Sequence, residues 1–307
     1  MKYWMIAEGA AGGEVLRALE TCGLKPAAVL TSPPAEGEPE GLWAAVQRKG
    51  YDVKPSDSVK QPDFSESLKA DGVDLLLNVY SLHVLPPHAL KGARIGNLNL
   101  HPGPLPRYAG LNPVSWALYR GEMQHGVTLH WMTDEIDGGP VAGRKDFEMS
   151  ASDTALSVSL KCIREGVGLI RDLFRKVEHG ERLPRLVQDR TRREYHGAEI
   201  PQAGKLFWDR PASEVYNFIR ACDFRMFPSP WGNPRACLPS GETLEILEAS
   251  GIQKVSEELP GRILKAGAGE VLIGCASGAV GVTAVCYQGG RCPAPEILKP
   301  GMVLGNG

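Results

Sequence analysis

Short apolar runs alternate with helical patterns along the first two hundred residues, and this alternation constrains the fold more than any other feature. It is typical of strand–helix–strand units on a parallel sheet. The predicted strands are residues 2–7, 27–32, 74–80, 97–101 and 126–132. The predicted helices are residues 14–22, 41–50, 112–122 and 150–180. Ser150 or Ser152 is expected to cap the last helix, with Gly180 just past its end. The pattern predicts an α/β, Rossmann-like N-terminal domain with a parallel sheet.

The pattern changes after about residue 203. One helical segment, residues 212–222, is followed by short β-like pieces separated by glycines, at 243–251, 261–274 and 278–290. Several short strands with turn signals predict a small, OB-like β-barrel. We therefore expect domains at residues 1–180 and 203–307, joined by a linker rich in Arg and Glu at 181–202.

Composition and charge exclude several protein classes. The chain has 307 residues, 43% of them hydrophobic and 23% charged, and a formal net charge of −2, which is typical of a soluble globular protein. This balance favours neither a polyanion nor an anionic membrane as a partner. The apolar run near the start ends at the charged Glu8, so it is too short for a signal peptide. The seven scattered cysteines contain no C-x-x-C pair, so we expect reduced thiols, a cytoplasmic location and no metal site.

A glycine-rich stretch, EGAAGGE at 8–14, follows the first predicted strand. A dinucleotide fingerprint beginning at Gly9 needs a second glycine at position 11, where Ala11 stands. The second strand also runs into prolines instead of the acidic residue that binds a ribose. These departures favour a tight strand-to-helix turn over a nucleotide site.

The stretch NLNLHPGPLPRYAG, residues 97–110, ends a strand abruptly. Side chains alternate along a strand, so Asn97, Asn99 and His101 share one face. Three alternating prolines follow, and because they lack backbone N–H donors the sheet cannot continue past His101. Asn99 and His101 are therefore expected at the carboxyl edge, where open α/β sheets bind ligands. Polar residues at a strand end can equally cap a loop, so this feature alone leaves both interpretations open.

A third polar residue strengthens the functional interpretation. The strand at 126–132 runs into TDEIDGGP, which is expected to deliver Asp137 to the same edge. This set suits acyl-type transfer to an amine: His101 takes a proton as general base, and Asn99 donates to the developing oxyanion. Asp137 is expected to fix the histidine tautomer and stabilise the imidazolium. Direct transfer is expected because no serine or cysteine lies in a nucleophile-elbow setting.

Four short motifs then carry a family resemblance: N-L-H-P-x-x-L-P-R-Y-x-G, W-A-L-Y-R-G-E, H-G-V-T and I-D-x-G. Together they resemble the 10-formyltetrahydrofolate-dependent formyltransferases over roughly residues 74–141, and more weakly over 203–307. The resemblance implies a formyltransferase catalytic domain at 1–180, with 10-formyltetrahydrofolate as co-substrate. It places the catalytic set of the family on Asn99, His101 and Asp137.

The resemblance also implies a folate pocket between two loops. One side is the loop after the third strand, with Leu82, His83, Val84 and Leu85, and the other is the segment ending at Asp137, with Asp134 and Ile136. Without the resemblance, the three apolar residues of the first loop are expected in the core and His83 on the surface.

The segment before and after Asp137 departs from the D-x-G-x-D-T-G pattern of the family. Thr133, Glu135 and Gly138 stand where the family has Asp, Gly and Thr. Asp137 itself is retained, so we expect catalysis to be intact.

The charge pattern bears on the acceptor. A tRNA-binding protein carries a basic footprint, but residues 201–307 hold ten Lys and Arg against ten Asp and Glu. The loop after the second strand carries Glu36, Glu38 and Glu40, and Ala109 stands where the tRNA-acting members have Arg. The basic residues of 181–205 fit either a phosphate contact or a solvated linker.

We therefore expect a small-molecule amine acceptor, either an aminosugar nucleotide or an amino-acid-derived metabolite, and no membrane partner. Transfer to methionyl-tRNA, hydrolysis of 10-formyltetrahydrofolate, and folate binding without turnover are the alternatives.

Overall fold

A computed structural model of the protein describes residues 1–34, 41–255 and 259–307. The chain forms two compact units. The first unit comprises Met1–Gly110, Gly126–Phe147 and Ser159–Tyr195, and the second comprises Leu111–His125, Glu148–Val158 and His196–Gly307. The predicted linker is divided between them at Tyr195, and the domain boundaries expected from the sequence stay a prediction.

The first unit is built on a mixed sheet. Within the described residues seven strands form it, in the order β3-β2-β1-β4-β5-β7-β8. The strands of this region are β1 (Tyr3–Ala7), β2 (Ala28–Thr31), β3 (Asp52–Pro55), β4 (Leu75–Val79), β5 (Gly96–His101), β6 (Ala109–Gly110), β7 (Gln124–Trp131), β8 (Val141–Glu148) and β9 (Tyr195–His196). The short strands β6 and β9 pair with each other. The helices are α1 (Gly9–Thr21), α2 (Gly41–Arg48), α3 (Phe64–Ala70), α4 (Pro113–Tyr119) and α5 (Ala155–Glu178).

All five predicted strands of the N-terminal region are present, and β3, β8, α3 and the two-residue strands β6 and β9 are additional. Strands β3 and β8 could not be predicted from the sequence because neither is an apolar run. Strand β3 is half-exposed, and β8 lies at the sheet edge with exposed charged residues at 144–146. Edge strands need only partial burial, so they lack the hydrophobic pattern that identifies a central strand.

One predicted feature of the sheet is wrong. Strands β1 to β5 are parallel, but β7 pairs antiparallel with β5, so that His130 lies opposite Asn99. The physical reason is the connection between them. Residues 111–125 belong to the second unit, where the Tyr119 ring meets the Phe218 ring edge-on at 5.4 Å. The chain therefore makes no helical crossover on the sheet, and such a crossover is what a parallel pair requires.

Both faces of the central strands are covered. On one face Trp4, Ile6 and Leu76 pack with Phe64 and Leu68 in a buried cluster. On the other face α5 packs so closely that a Cβ added at Gly166 would lie 2.8 Å from a methyl of Leu100. Because strands buried on both faces form near-continuous apolar runs, these strands could be predicted from the sequence.

The turn between β1 and α1 is tight, as the sequence indicates. Only Glu8 separates the strand from the helix, which begins at Gly9, five residues earlier than predicted. A Cβ at Gly12 would lie 3.1 Å from the backbone carbonyl carbon of Ala7, so the glycine permits this close approach.

The second unit contains an antiparallel sheet. Its order over the described residues is β12-β13-β14-β11-β10-β16, with β15 paired to β14. The elements are α6 (Ala212–Cys222), β10 (Arg235–Cys237), β11 (Thr243–Gln253), β12 (Ile263–Gly267), β13 (Glu270–Gly274), β14 (Ala279–Tyr287), β15 (Gly290–Pro293), α7 (Ala294–Ile297) and β16 (Gly305–Asn306). An antiparallel bridge between Arg262 and Val303 connects the segments before β12 and β16, so the two ends of the strand order meet. The predicted fold class, an α/β domain followed by a small β domain, is confirmed.

No helix in the described part of the chain is both long enough and apolar enough to cross a membrane.

The cap of α5 differs from the prediction. The helix begins at Ala155, and Gly180 follows its end with φ 69° as expected. Thr154, not Ser150 or Ser152, caps the helix: the Ser157 N–H donates to Thr154 Oγ1 at 3.4 Å, and the Thr154 N–H donates to Ser157 Oγ at 2.9 Å. The serines are excluded because Asp153 accepts the Ser150 N–H at 2.7 Å, in a turn that precedes the helix.

We expect Thr154→Ala to lower the free energy of unfolding by about 1 kcal/mol, because one N–H of the first helical turn loses its acceptor. Urea denaturation followed by circular dichroism measures this. Ser152→Ala is the matched control and should change the midpoint much less. Equal effects of the two substitutions would show that Thr154 is not the cap.

Candidate active site

The structure brings the three predicted catalytic residues together. Strand β5 ends at His101, and Asn99 lies two residues earlier on the same face. Asp137 reaches both: its Oδ2 lies 3.4 Å from His101 Nδ1, and its Oδ1 lies 3.4 Å from Asn99 Nδ2. Asn97 has a structural role, because its amide donates to the Leu90 carbonyl at 2.8 Å.

Asp137 arrives by a different route from the one expected. Strand β7 is antiparallel, so its end lies level with the amino-terminal part of β5, where the Met132 N–H donates to the Asn97 carbonyl. The following loop turns back toward the carboxyl edge and carries Asp137 in a left-handed conformation, with φ 52°. Gly139 is required in this loop, because a Cβ there would overlap the carbonyl oxygen of Trp131.

The hydrogen bonds of His101 fix its tautomer. Its Nε2 lies 2.8 Å from the Tyr108 carbonyl oxygen, which can only accept, so this nitrogen carries the proton. Nδ1 of the neutral ring is therefore unprotonated and faces Asp137. The expectation that Asp137 holds the tautomer is wrong, because Tyr108 does so. The carboxylate instead lies beside the nitrogen that can accept a proton, where it would stabilise the imidazolium.

The site is electrostatically prepared for proton transfer. Burial lowers the pKa of His101 below its ordinary value of 6.5, and the Asp137 carboxylate opposes this only in part. His130 and Arg193 add to the lowering of this pKa. Burial would raise the pKa of Asp137, but His101, His130 and the Gly110 N–H outweigh it and hold this pKa well below its usual 3.8. A neutral imidazole thus lies beside an ionised carboxylate near pH 7.

His130 is a site residue that the sequence analysis missed. It is 2% exposed, and its Nε2 lies 3.2 Å from Asp137 Oδ1 and 3.0 Å from Asn99 Nδ2. Its Nδ1 faces the Trp131 carbonyl oxygen at 3.1 Å. His130 lies opposite Asn99 because β7 runs antiparallel to β5. The prediction of a parallel sheet therefore did not place His130 at the site.

One of the two amide hydrogens of Asn99 is only weakly bound. Asn99 Nδ2 donates one hydrogen to His130 Nε2 at 3.0 Å. It donates the other to Asp137 Oδ1 at 3.4 Å, which is a long and therefore weak hydrogen bond. An oxyanion that forms nearby can compete for this second hydrogen.

The predicted folate loops expose apolar side chains. Leu82 and Val84 are 80% and 60% exposed, and Ile136 is 42% exposed. The interpretation of Leu82 and Val84 as core residues is therefore wrong, whereas Leu85 does lie in the buried cluster with Trp4 and Ile6.

The remaining predicted folate residues are polar. His83 Nε2 lies 2.9 Å from Ser56 Oγ, so it is a partly buried, hydrogen-bonded residue, and Asp134 is exposed. The part that these six residues play toward folate stays a prediction.

Two departures from the family pattern lie next to each other. A Cβ added at Gly138 would overlap the end of the Glu135 side chain in its present position. The glycine therefore leaves room for Glu135 as it lies here. Thr133 supports the turn that carries Asp137, because its Oγ1 lies 3.3 Å from the Glu135 N–H.

Ala109 is fully buried in β6, and its N–H donates to the Glu194 carbonyl at 2.8 Å. Glu36, Glu38 and Glu40 lie outside the described residues. In the part of the chain that the structure covers, no group of three or more His, Cys, Asp or Glu side chains could hold a metal ion.

Comparisons with known proteins identify the family. Residues 25–170 match the formyl transferase family model, and residues 200–299 match the model of the formyl transferase C-terminal domain. Together the two matches cover most of the chain.

Solved structures share the fold. HypX from Aquifex aeolicus in complex with tetrahydrofolic acid is similar with a TM-score of 0.70 and 18% identity, over 97% of this chain and 47% of the HypX chain. The chain thus spans about half the length of HypX. An N-formyltransferase from Helicobacter canadensis, in complex with folinic acid and dTDP-3-aminofucose, matches with a TM-score of 0.68 and 17% identity, over 92% of this chain and 98% of that one.

A 4-N formyltransferase from Francisella tularensis matches with a TM-score of 0.64 and 17% identity, over 83% of this chain and 98% of that one. At these identities the likeness shows a shared fold.

We expect His101 to titrate below pH 6.5, and its midpoint to fall further in Asp137→Asn, because the substitution removes the charge that raises the pKa of the ring. NMR of histidine labelled at the ring carbons measures both midpoints without any substrate. Asp146→Asn, which removes an exposed carboxylate paired with Arg144, is the matched control and should leave the midpoint unchanged. A midpoint above 6.5, or one that Asp137→Asn does not move, would contradict this description.

Proposed function

The chain belongs to the formyl transferase family, and from that premise we propose that it transfers the formyl group of 10-formyltetrahydrofolate to the amine of a small-molecule acceptor. The observation that carries the proposal is the pairing of His101 with Asp137. His101 Nδ1 lies 3.4 Å from Asp137 Oδ2 at the end of β5. Formyl transfer to an amine needs such a base, because the attacking nitrogen must lose a proton.

The folate would lie against the loops that flank this site. The exposed Leu82, Val84 and Ile136 would contact its ring system, with Leu85 supporting the first loop from the core. His83 and Asp134 supply polar groups on the two loops. Bound there, 10-formyltetrahydrofolate supplies an activated formyl carbon. The HypX and Helicobacter canadensis structures, crystallised with tetrahydrofolic acid and folinic acid, support this choice of donor.

His101 would act as the general base. Its Nδ1 would accept the proton of the attacking amine, while Nε2 keeps its hydrogen bond to Tyr108. The same proton would then pass to N10 as the formyl C–N10 bond breaks, so that tetrahydrofolate leaves as a neutral amine. The imidazolium so formed has its new charge next to Asp137 Oδ2, and this pairing lowers the energy of the charged state. A positioned base of this kind contributes about 10²–10⁴ in rate.

Asn99 would stabilise the opposite charge. Negative charge develops on the formyl oxygen as the amine attacks, and the second amide hydrogen of Asn99 can leave its weak contact with Asp137 to bind it. Loss of one such donor costs about 3–4 kcal/mol of transition-state stabilisation. His130 holds the first hydrogen and so keeps the amide oriented.

The acceptor is proposed to be an aminosugar nucleotide or an amino-acid-derived amine. The balanced charge of residues 201–307 supports a small molecule over tRNA. The buried Ala109, in place of an arginine, gives the site no cation at that position. The Helicobacter canadensis structure contains dTDP-3-aminofucose, which supports an aminosugar nucleotide as one acceptor class.

We expect the protein to release tetrahydrofolate from 10-formyltetrahydrofolate only with a suitable amine, and to add one formyl mass to that amine. Panels of aminosugar nucleotides, amino acids and methionyl-tRNA, followed by mass spectrometry, test this. Formylation of methionyl-tRNA alone, or folate release without any acceptor, would overturn the proposed acceptor class.

His101→Ala should reduce kcat by about 10²–10⁴-fold, because the base is removed. His179→Ala, at an exposed histidine next to Glu181, is the matched control and should retain activity. Unchanged turnover in His101→Ala would rule out the mechanism.

A further inference from the structure

Part of the predicted linker is not solvated. Gln188 is 9% exposed, and its side-chain nitrogen lies 2.8 Å from the Asp137 carbonyl oxygen and 2.6 Å from the Gly139 carbonyl oxygen. A primary amide carries two hydrogens on one nitrogen, which matches two acceptors on one turn. Gln188 therefore binds the backbone of the catalytic turn, 49 and 51 residues away along the chain.

The turn needs such support. Asp137 has φ 52°, a conformation that residues other than glycine rarely adopt and that persists only where the surroundings hold it. In this conformation the carbonyl groups of Asp137 and Gly139 both point to Gln188. If they lost their donor, these buried carbonyls would have to turn elsewhere, and the backbone at Asp137 would turn with them.

A second contact from the same segment binds the turn. Arg193 Nη2 donates to the Ile136 carbonyl at 2.8 Å. Arg193 also lies 3.6 Å from the Glu135 carboxylate, which forms an ion pair with Arg190 as well. Residues 188–193 thus hold three carbonyl groups and one side chain of residues 135–139.

The position of the Asp137 carboxylate depends directly on that backbone. Only two side-chain torsions separate the carboxylate from Cα, so a rotation at φ or ψ moves the carboxylate away from His101 Nδ1. The Gly110 N–H donates to Asp137 Oδ2 at 2.8 Å, but this hydrogen bond cannot set the backbone conformation of Asp137.

We propose that Gln188 is a positioning residue for the reaction: its amide holds the left-handed turn that places the Asp137 carboxylate against His101 Nδ1. The inference rests on the proposed function only for its kinetic consequence, because the placement itself can be measured without substrate.

Two substitutions of Gln188 distinguish the effect of its hydrogen-bond donor from the effect of its side-chain shape. Gln188→Met keeps the length and fills the buried space but has no donor. Gln188→Glu keeps the shape but presents an acceptor to two carbonyl oxygens. Gln202→Met is the matched control, since Gln202 also lies in the predicted linker but donates to Tyr119 Oη at 3.1 Å.

The first readout is the NMR titration of His101. The charged and titratable groups around the ring are Asp137, His130 and Arg193, and of these only the Asp137 carboxylate raises the pKa. Gln188→Met should therefore move the midpoint of His101 down, toward its value in Asp137→Asn. Gln202→Met should leave it at the wild-type value.

The second readout is turnover with 10-formyltetrahydrofolate and the best acceptor found for the wild type. We expect kcat to fall about 10²-fold in both Gln188 variants, with KM for the folate little changed, because a displacement of about 1 Å has that effect on a catalytic group. Circular dichroism confirms that the variants are folded.

The outcomes are distinguishable. An unchanged His101 midpoint in Gln188→Met, or wild-type kcat in both folded variants, would overturn the positioning role. If the wild type shows no formyl transfer, the proposed function fails, while the titration still decides whether Gln188 places Asp137.

Discussion

The contact between His101 Nδ1 and Asp137 Oδ2 is the interaction on which the rest of the site depends. Both groups are buried, and an ionised carboxylate is costly to bury unless its oxygens are bound. The Gly110 N–H and the Asn99 amide donate to its two oxygens. The result is a carboxylate that stays charged beside a ring that stays neutral. Such a pair can take a proton from an amine without first losing one.

One loop provides much of this arrangement. The prolines after His101 end β5 at the carboxyl edge, and the same loop then supplies the Tyr108 carbonyl that fixes the ring and the Gly110 N–H that binds the carboxylate. The turn at residues 133–139 brings Asp137 from the other side, and residues 188–193 hold that turn. The chemistry of two side chains thus depends on three segments that are far apart along the chain.

A site residue could be predicted from the sequence where the pattern that indicates it lies within a few residues of it. Asn99 and His101 were predictable because alternation along a strand and the prolines after it are local. The position of Asp137 beside them was predicted correctly, but from a parallel β7, whereas β7 is antiparallel to β5. His130 and Gln188 were missed because their roles depend on an antiparallel register and on contacts between distant residues, neither of which leaves a local pattern. Leu82 and Val84 were expected in the core, without the family resemblance, because hydrophobicity alone does not show that a loop is exposed.

The most direct test of the central claim is a crystal structure of the protein with a folate analogue whose 10-formyl group cannot be transferred. We predict that the formyl oxygen lies within about 3 Å of Asn99 Nδ2, and that the formyl carbon faces His101 Nδ1 next to Asp137. A formyl group bound out of reach of both side chains, or a folate bound away from the carboxyl edge of β5, would contradict it.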